Sequence, residues 1–143
     1  MAERSRQVVG DLVWLSVRRL GFGSKEISGA LVDYVSEIIA GTPIQTIADF
    51  YDALMTHDKL DALPVLRDLP VLVLVGDRDL ITPPDHSRAI AAELPDAELV
   101  VLENAGHMVM LERAALATLH LRTFLHRAHR HAGGTGQRRR RKA

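Results

Sequence analysis

The run Val71 to Val75 is apolar at every position, and it constrains the fold more than any other stretch of the chain. A strand with one wet face would alternate. Consecutive Val and Leu side chains between Pro70 and Gly76 instead fit a strand buried on both faces, as in a parallel sheet covered by helices. A second apolar run spans Leu99 to Leu102. Between the two, Thr82 caps a helix that opens with Pro83, Pro84 and Asp85, reaches about Leu94 and is closed by Pro95. The span from Val71 to Leu102 has the length of a right-handed crossover, so the strands are expected to be parallel and in one sheet. Their carboxyl ends then share one edge, with Asp79 and His107 just beyond it.

What precedes this unit reads as three helices. From Ala2 to Leu20 two offset apolar rows (Val8, Leu12, Leu15 and Val13, Val17, Leu20) predict a helix covered on more than one side, ended by Gly21-Phe22-Gly23. Ser24 is a candidate N-cap for the second helix, with Ile27, Leu31, Tyr34, Val35 and Ile38 at helical spacing and Gly41 at its end. Thr42-Pro43-Ile44-Gln45 has the capping-box pattern for a third, whose apolar row is Ile44, Ile47, Ala48, Tyr51, Leu54 and Met55. After the second strand, Leu111, Ala114, Ala117, Leu121, Phe124 and Leu125 form the inner row of a final helix. The apolar pattern is then lost. Residues 122–143 hold eight Lys/Arg and no acid, leaving ten Lys/Arg against all eighteen acids before them. The body is acidic, the end is basic, and 129–143 reads as a disordered tail. The expected organisation is thus a helical segment over 1–60, a strand-bearing core over 61–128 and the tail.

The absence of cysteine excludes disulfides, thiol nucleophiles and cysteine zinc sites. No apolar run approaches the length of a membrane span, and MAERSRQ has no adjacent signal-peptide core, so a cytoplasmic protein is expected. His57 with Asp58 and Asp61, and the group His126, His129 and His131, read as surface residues rather than metal sites. The run Arg138 to Lys142 lacks stacking aromatics and reads as a solvated polybasic end, with no specific nucleic-acid partner.

The candidate acid and base are Asp79 and His107, whose plainer reading is a loop carboxylate and a capping histidine. A histidine at a strand end works as a general base near neutral pH, and a carboxylate on its far nitrogen fixes the tautomer. Asp77 reads as a solvated turn residue. Met108 and Met110 flank the base and read chiefly as packing, with an acyl pocket as the functional alternative. Trp14, Phe22, Phe50 and Tyr51 are read as packing in the same way.

At these residues the chain resembles the α/β-hydrolase family. PVLVLVGDRDLITP, with Gly76, Asp79 and Pro83, looks like the strand and loop bearing that family's catalytic acid, and ENAGHMVMLE, with Gly106, His107 and Glu112, like the loop bearing its histidine. The order of acid, histidine and final helix also fits. The resemblance covers about residues 1 to 128 and implies the C-terminal part of an α/β-hydrolase fold: a helical cap segment, a βαβ unit and a last helix. It makes Asp79 the triad acid and His107 the general base, and requires no metal or organic cofactor.

The nucleophile elbow G-x-S-x-G does not occur in this sequence. Ser5, Ser16, Ser24, Ser28, Ser36 and Ser87 all lie outside such a frame. The expected function is ester or acyl hydrolysis by a Ser-His-Asp triad of which Asp79 and His107 are present here, in a truncated or split hydrolase acting on a small apolar ester. The alternative is a non-catalytic remnant or interaction module whose sheet edge pairs with another chain or a second copy. Two parallel strands alone would leave both edges unpaired.

Overall fold

A computed structural model describes residues 2–140, with side chains over 8–130. Helix α1, Ala2–Ser16, runs into a wider π turn, Val17–Gly21, which brings Val17 and Gly21 into the interior. Extra residues in such a turn re-aim the chain that follows, and here it leads Phe22 inward. Helix α2, Gly29–Ala40, starts later than Ser24 and uses Ser28 as its N-cap residue. It packs on α1 through Val32 and Val35, and the indole Nε1–H of Trp14 donates to Asp33 Oδ1 at 2.7 Å. Helix α3, Ile44–Met55, has Pro43 at its N-cap position and no side-chain cap. The capping box expected at Thr42 and Gln45 does not form: Thr42 Oγ1 donates back to the Ile38 carbonyl, and Gln45 Nε2 donates to Asp49.

A 3-10 segment, Leu60–Leu66, then leads to β1, Leu72–Gly76. Helix α4, Pro84–Glu93, returns the chain to β2, Glu98–Leu102, which pairs with β1 in parallel register from Leu72↔Glu98 to Gly76↔Leu102. The parallel pairing is the one expected. Helix α4 takes Pro83 rather than Thr82 as N-cap residue, which frees the Thr82 side chain for other work. Among the described residues the sheet has two strands, and full burial is confined to its carboxyl end, at Val75 and Gly76 of β1 and Leu102 of β2. Leu72, Val73 and Leu74 are half-buried, because no third strand lies beside them among the described residues.

A short turn of helix α5, Val109–Glu112, precedes the long α6, Ala114–Arg140. The buried row of α6 is Ala117 with the half-buried His120, Phe124 and Ala128, whereas Ala114, Leu121 and Leu125, expected inside, are exposed. The difference is one of facing: the apolar residues occupy more than one side of the helix, and the sheet covers a single side. The Arg127 guanidinium pairs with Glu98 at the start of β2 and so fixes which side that is. The segment 129–140, expected to be disordered, continues this helix. It contains no proline, and cations near a helix C-terminus suit the macrodipole.

Two cores result. Val17, Phe22, Val32 and Val35 form one, in the helical segment, and Leu102, Ala105, Val109 and Ala117 form the other, against the sheet. Met108 and Leu111 pack on the first from the loop and turn that follow β2, so the two cores meet where Asp79 and His107 lie. Among the described residues no helix is long and apolar enough to cross a membrane.

Candidate active site

The carboxyl ends of β1 and β2 open into two loops that are zipped to each other. The Asp77 N–H donates to the Leu102 carbonyl (2.9 Å), the Arg78 N–H to the Ala105 carbonyl (2.9 Å), and the Ala105 N–H to Asp77 Oδ1 (3.1 Å). Asp77 is exposed, as a turn residue should be, yet its carboxylate also ties the loops together. Such close backbone approach needs glycine. A Cβ on Gly76 would collide with the Ala105 carbonyl, and one on Gly106 would lie 2.5 Å from the Gly23 nitrogen. Asn104 takes the left-handed conformation (φ 54) that Asn tolerates better than most residues. Its carbonyl accepts from the Arg113 guanidinium at 2.8 Å, and Arg113 Nε donates to the Glu103 carbonyl at 3.0 Å.

On this frame Asp79 is buried, at 6% exposure, with all four of its acceptor directions used. Oδ1 accepts the backbone N–H groups of Ile81 (2.9 Å) and Thr82 (2.8 Å), the local pattern that short carboxylates make in turns. Oδ2 accepts the Thr82 hydroxyl (2.9 Å) and faces His107 Nδ1 at 3.0 Å. Burial pushes the Asp79 carboxyl upward. The Thr82 N–H, His107, the Thr82 hydroxyl and the Ile81 N–H together outweigh it, and the carboxyl is held below its ordinary value. Asp79 is therefore an anion at neutral pH.

That anion assigns the tautomer of His107. An acceptor at Nδ1 requires the proton there, so Nε2 is the ring nitrogen left for proton transfer. The His107 side chain is about one-third exposed (34%), which leaves it accessible from the loop face. Thr82 Oγ1 also lies 3.2 Å from Nδ1. The arrangement suits a general base oriented by a buried carboxylate.

Both residues expected to carry the chemistry are brought together. Two others were not anticipated in the roles they take. Thr82 was expected to cap α4 and instead completes the shell of Asp79; its three-residue spacing from the acid, with proline behind it, was the available signal. Glu112, part of the recognised motif but without a role, accepts backbone N–H groups from Gly106, Gly23 and Ser24. Met108 lines an open groove of about 350 Å³ together with Ile81, Gly21, Val17 and Leu12, in which Ser16 is the one polar side chain among the described residues. Met110 is 71% exposed and takes no part in it. Of the aromatic residues read as packing, Phe22 is buried and Trp14 half-buried in the first core, while Phe50 and Tyr51 are exposed.

A family profile described as alpha/beta hydrolase fold matches residues 18–114, more than half of the chain. Over 54 residues the chain is 48% identical to a proline iminopeptidase, PfmaB, of Pestalotiopsis fici, covering 38% of this chain and 19% of that protein. It is 37% identical over 81 residues to a pimeloyl-[acyl-carrier protein] methyl ester esterase of Neisseria meningitidis serogroup B, covering 56% of this chain and 31% of that one. A thermophilic esterase from Thermogutta terrifontis, solved with malate bound, aligns at 39% identity and a TM-score of 0.47 over 50% of this chain and 26% of its own. The chain thus spans less than a third of the length of the curated relatives it matches. The matched residues include both zipped loops with Asp79 and His107: this chain belongs to the α/β-hydrolase fold family.

Proposed function

We propose that this chain supplies the acid and base of an ester or acyl hydrolase acting through a Ser-His-Asp triad. Asp79 orients His107 and stabilises the imidazolium; His107 Nε2 takes the proton of a serine hydroxyl and gives it to the departing alcohol, then takes a proton from the water that hydrolyses the acyl-enzyme and returns it to the serine. The observation that carries this reading is the 3.0 Å contact between Asp79 Oδ2 and His107 Nδ1 at the carboxyl ends of two parallel strands. The serine belongs to a polypeptide segment that pairs with a free edge of the β1–β2 sheet, since no G-x-S-x-G frame occurs within residues 1–143. The helical segment before β1 acts as the cap.

The groove beside Met108 and Ile81 supports an apolar acyl group as substrate. Both residues adjoin the site, Met108 following His107 and Ile81 preceding Thr82, and a wall with one hydroxyl offers an acyl chain burial without unpaired polar groups. Esters with charged acyl groups are disfavoured there for the same reason.

The test is reconstitution. The chain is combined with the N-terminal part of a related ester hydrolase, ending ahead of that enzyme's own acid loop, and assayed with p-nitrophenyl acyl esters and a fluorophosphonate probe. The expected result is hydrolysis by the combination, labelling of the added serine alone, and loss of both on His107→Ala. Hydrolysis that survives His107→Ala would overturn the assignment. Tight pairing of the two parts without any labelling would favour a non-catalytic module that uses the same sheet edge.

A further inference from the structure

Glu112 lies five residues beyond His107, and among the described residues no side chain donates to its carboxylate. Its two oxygens are instead filled by backbone donors from both sides of a junction. Oε1 accepts the Gly106 N–H at 2.5 Å, immediately before His107, and Oε2 accepts the N–H groups of Gly23 (2.9 Å) and Ser24 (2.7 Å) in the connection between α1 and α2. The same connection is held from two further directions: the Gly21 carbonyl accepts the Met108 N–H at 2.8 Å, and the Gly23 carbonyl accepts from Arg78 at 3.2 Å. Gly23 and Gly106 pack backbone to backbone, so that a Cβ on either would intrude on the other.

We infer that Glu112 is a positioning residue for His107, a carboxylate latch that couples the helical segment to the base loop and so holds Nδ1 on Asp79. His107 has Gly106 on one side and Met108 on the other; the helical segment holds Met108 through the Gly21 carbonyl and Gly106 through Glu112. Removing the latch frees Gly106 to move, and the imidazole with it. A carboxylate is required because all three donors converge on it. The amide of a glutamine has one acceptor oxygen, and its NH2 group must face one of those N–H groups.

The activity readout rests on the ester-hydrolase reading, and a spectroscopic readout does not. Ring 15N shifts of His107 in the full chain report which nitrogen holds the proton. The unsubstituted chain is expected to hold it on Nδ1. Glu112→Gln is expected to melt cooperatively while the ring redistributes toward the Nε2–H tautomer, and in the completed enzyme to lower kcat roughly 10- to 100-fold with KM within about twofold. Glu112→Asp keeps the charge with a shorter reach, and an intermediate tautomer shift is expected. If Glu112→Gln does not fold, the aspartate variant decides by itself. An unchanged tautomer in folded variants, or a change confined to KM, overturns the inference. Should the completed enzyme hydrolyse nothing, the ester reading falls while the tautomer measurement still judges Glu112.

Discussion

The two zipped loops at the carboxyl end of the sheet and helix α3 make an instructive pair. In the loops nearly every polar group that bears on the chemistry has a partner, and glycines at 76 and 106 let the backbones touch. Helix α3 has the more regular apolar row, yet none of its residues is buried, and Ile44, Phe50 and Leu54 are 79%, 69% and 73% exposed. The geometry of Asp79 and His107 is thus set by hydrogen bonds that reach across the chain. The apolar surfaces of α3, of α1 at Val8, Leu12 and Leu15, and of α6 at Leu121 and Leu125 are exposed. A dense set of hydrogen bonds fixes a polar site, whereas an apolar face is buried only by a second layer of structure.

The largest expected effect lies on the settled side. Asp79→Asn removes the anion that orients His107, and in the completed enzyme kcat should fall on the order of a thousandfold or more. In the chain alone it leaves the donors around Oδ2 poorly matched and should cost about 1–3 kcal/mol of stability. The pH dependence has a definite sign. The folded-state carboxyl of Asp79 is held below its ordinary value, so its contribution is fully present above the ordinary carboxylate range and is lost as pH falls through the lower folded value. Urea melts at descending pH should show the gap between the unsubstituted chain and Asp79→Asn constant near neutrality and closing in acid. A gap that stays open at low pH would mean that the stability comes from packing rather than from charge.

Next in size is the close backbone approach. Gly76→Ala and Gly106→Ala each place a methyl group against main-chain atoms, which cannot rotate away, and about 1–3 kcal/mol of destabilisation is expected in thermal or urea melts. Gly10→Ala is the contrast: nothing lies within 4 Å of its Cβ, and alanine within α1 should stabilise by up to about 1 kcal/mol. Equal losses at all three positions would remove the distinction between a zipped junction and an ordinary helix.

Much of the settled region was legible in the sequence. The apolar run at Val71 to Val75, the Pro-flanked helix and the second run at Leu99 to Leu102 specify a crossover, because a parallel pair can be joined in few ways. That crossover carried Asp79 and His107 to one edge, as expected. Thr82 and Glu112 were harder to read, since a hydroxyl before proline and a carboxylate in a last turn have many local uses and only the tertiary arrangement selects one. The facing of α6 departs from the expected row for a related reason. Leu121 and Leu125 are as apolar as Phe124, and it is the sheet and the Arg127–Glu98 pair that decide which side turns inward.

The smallest effect should be found on α3, and it sharpens the comparison from the other side. Phe50→Gln and Leu54→Gln change residues whose side chains are mostly in water, so the stability of the chain alone should move by no more than about 0.5 kcal/mol each. Their effect belongs to association. If this face is apolar because another polypeptide covers it, the double substitution should weaken reconstitution with the serine-bearing part, or lower any self-association seen by sedimentation, while leaving the melt unchanged. A loss of more than about 2 kcal/mol in the isolated chain would show that α3 is already packed in solution. The uncovered region would then be as self-sufficient as the loops, and its long apolar row would belong to this chain's own core.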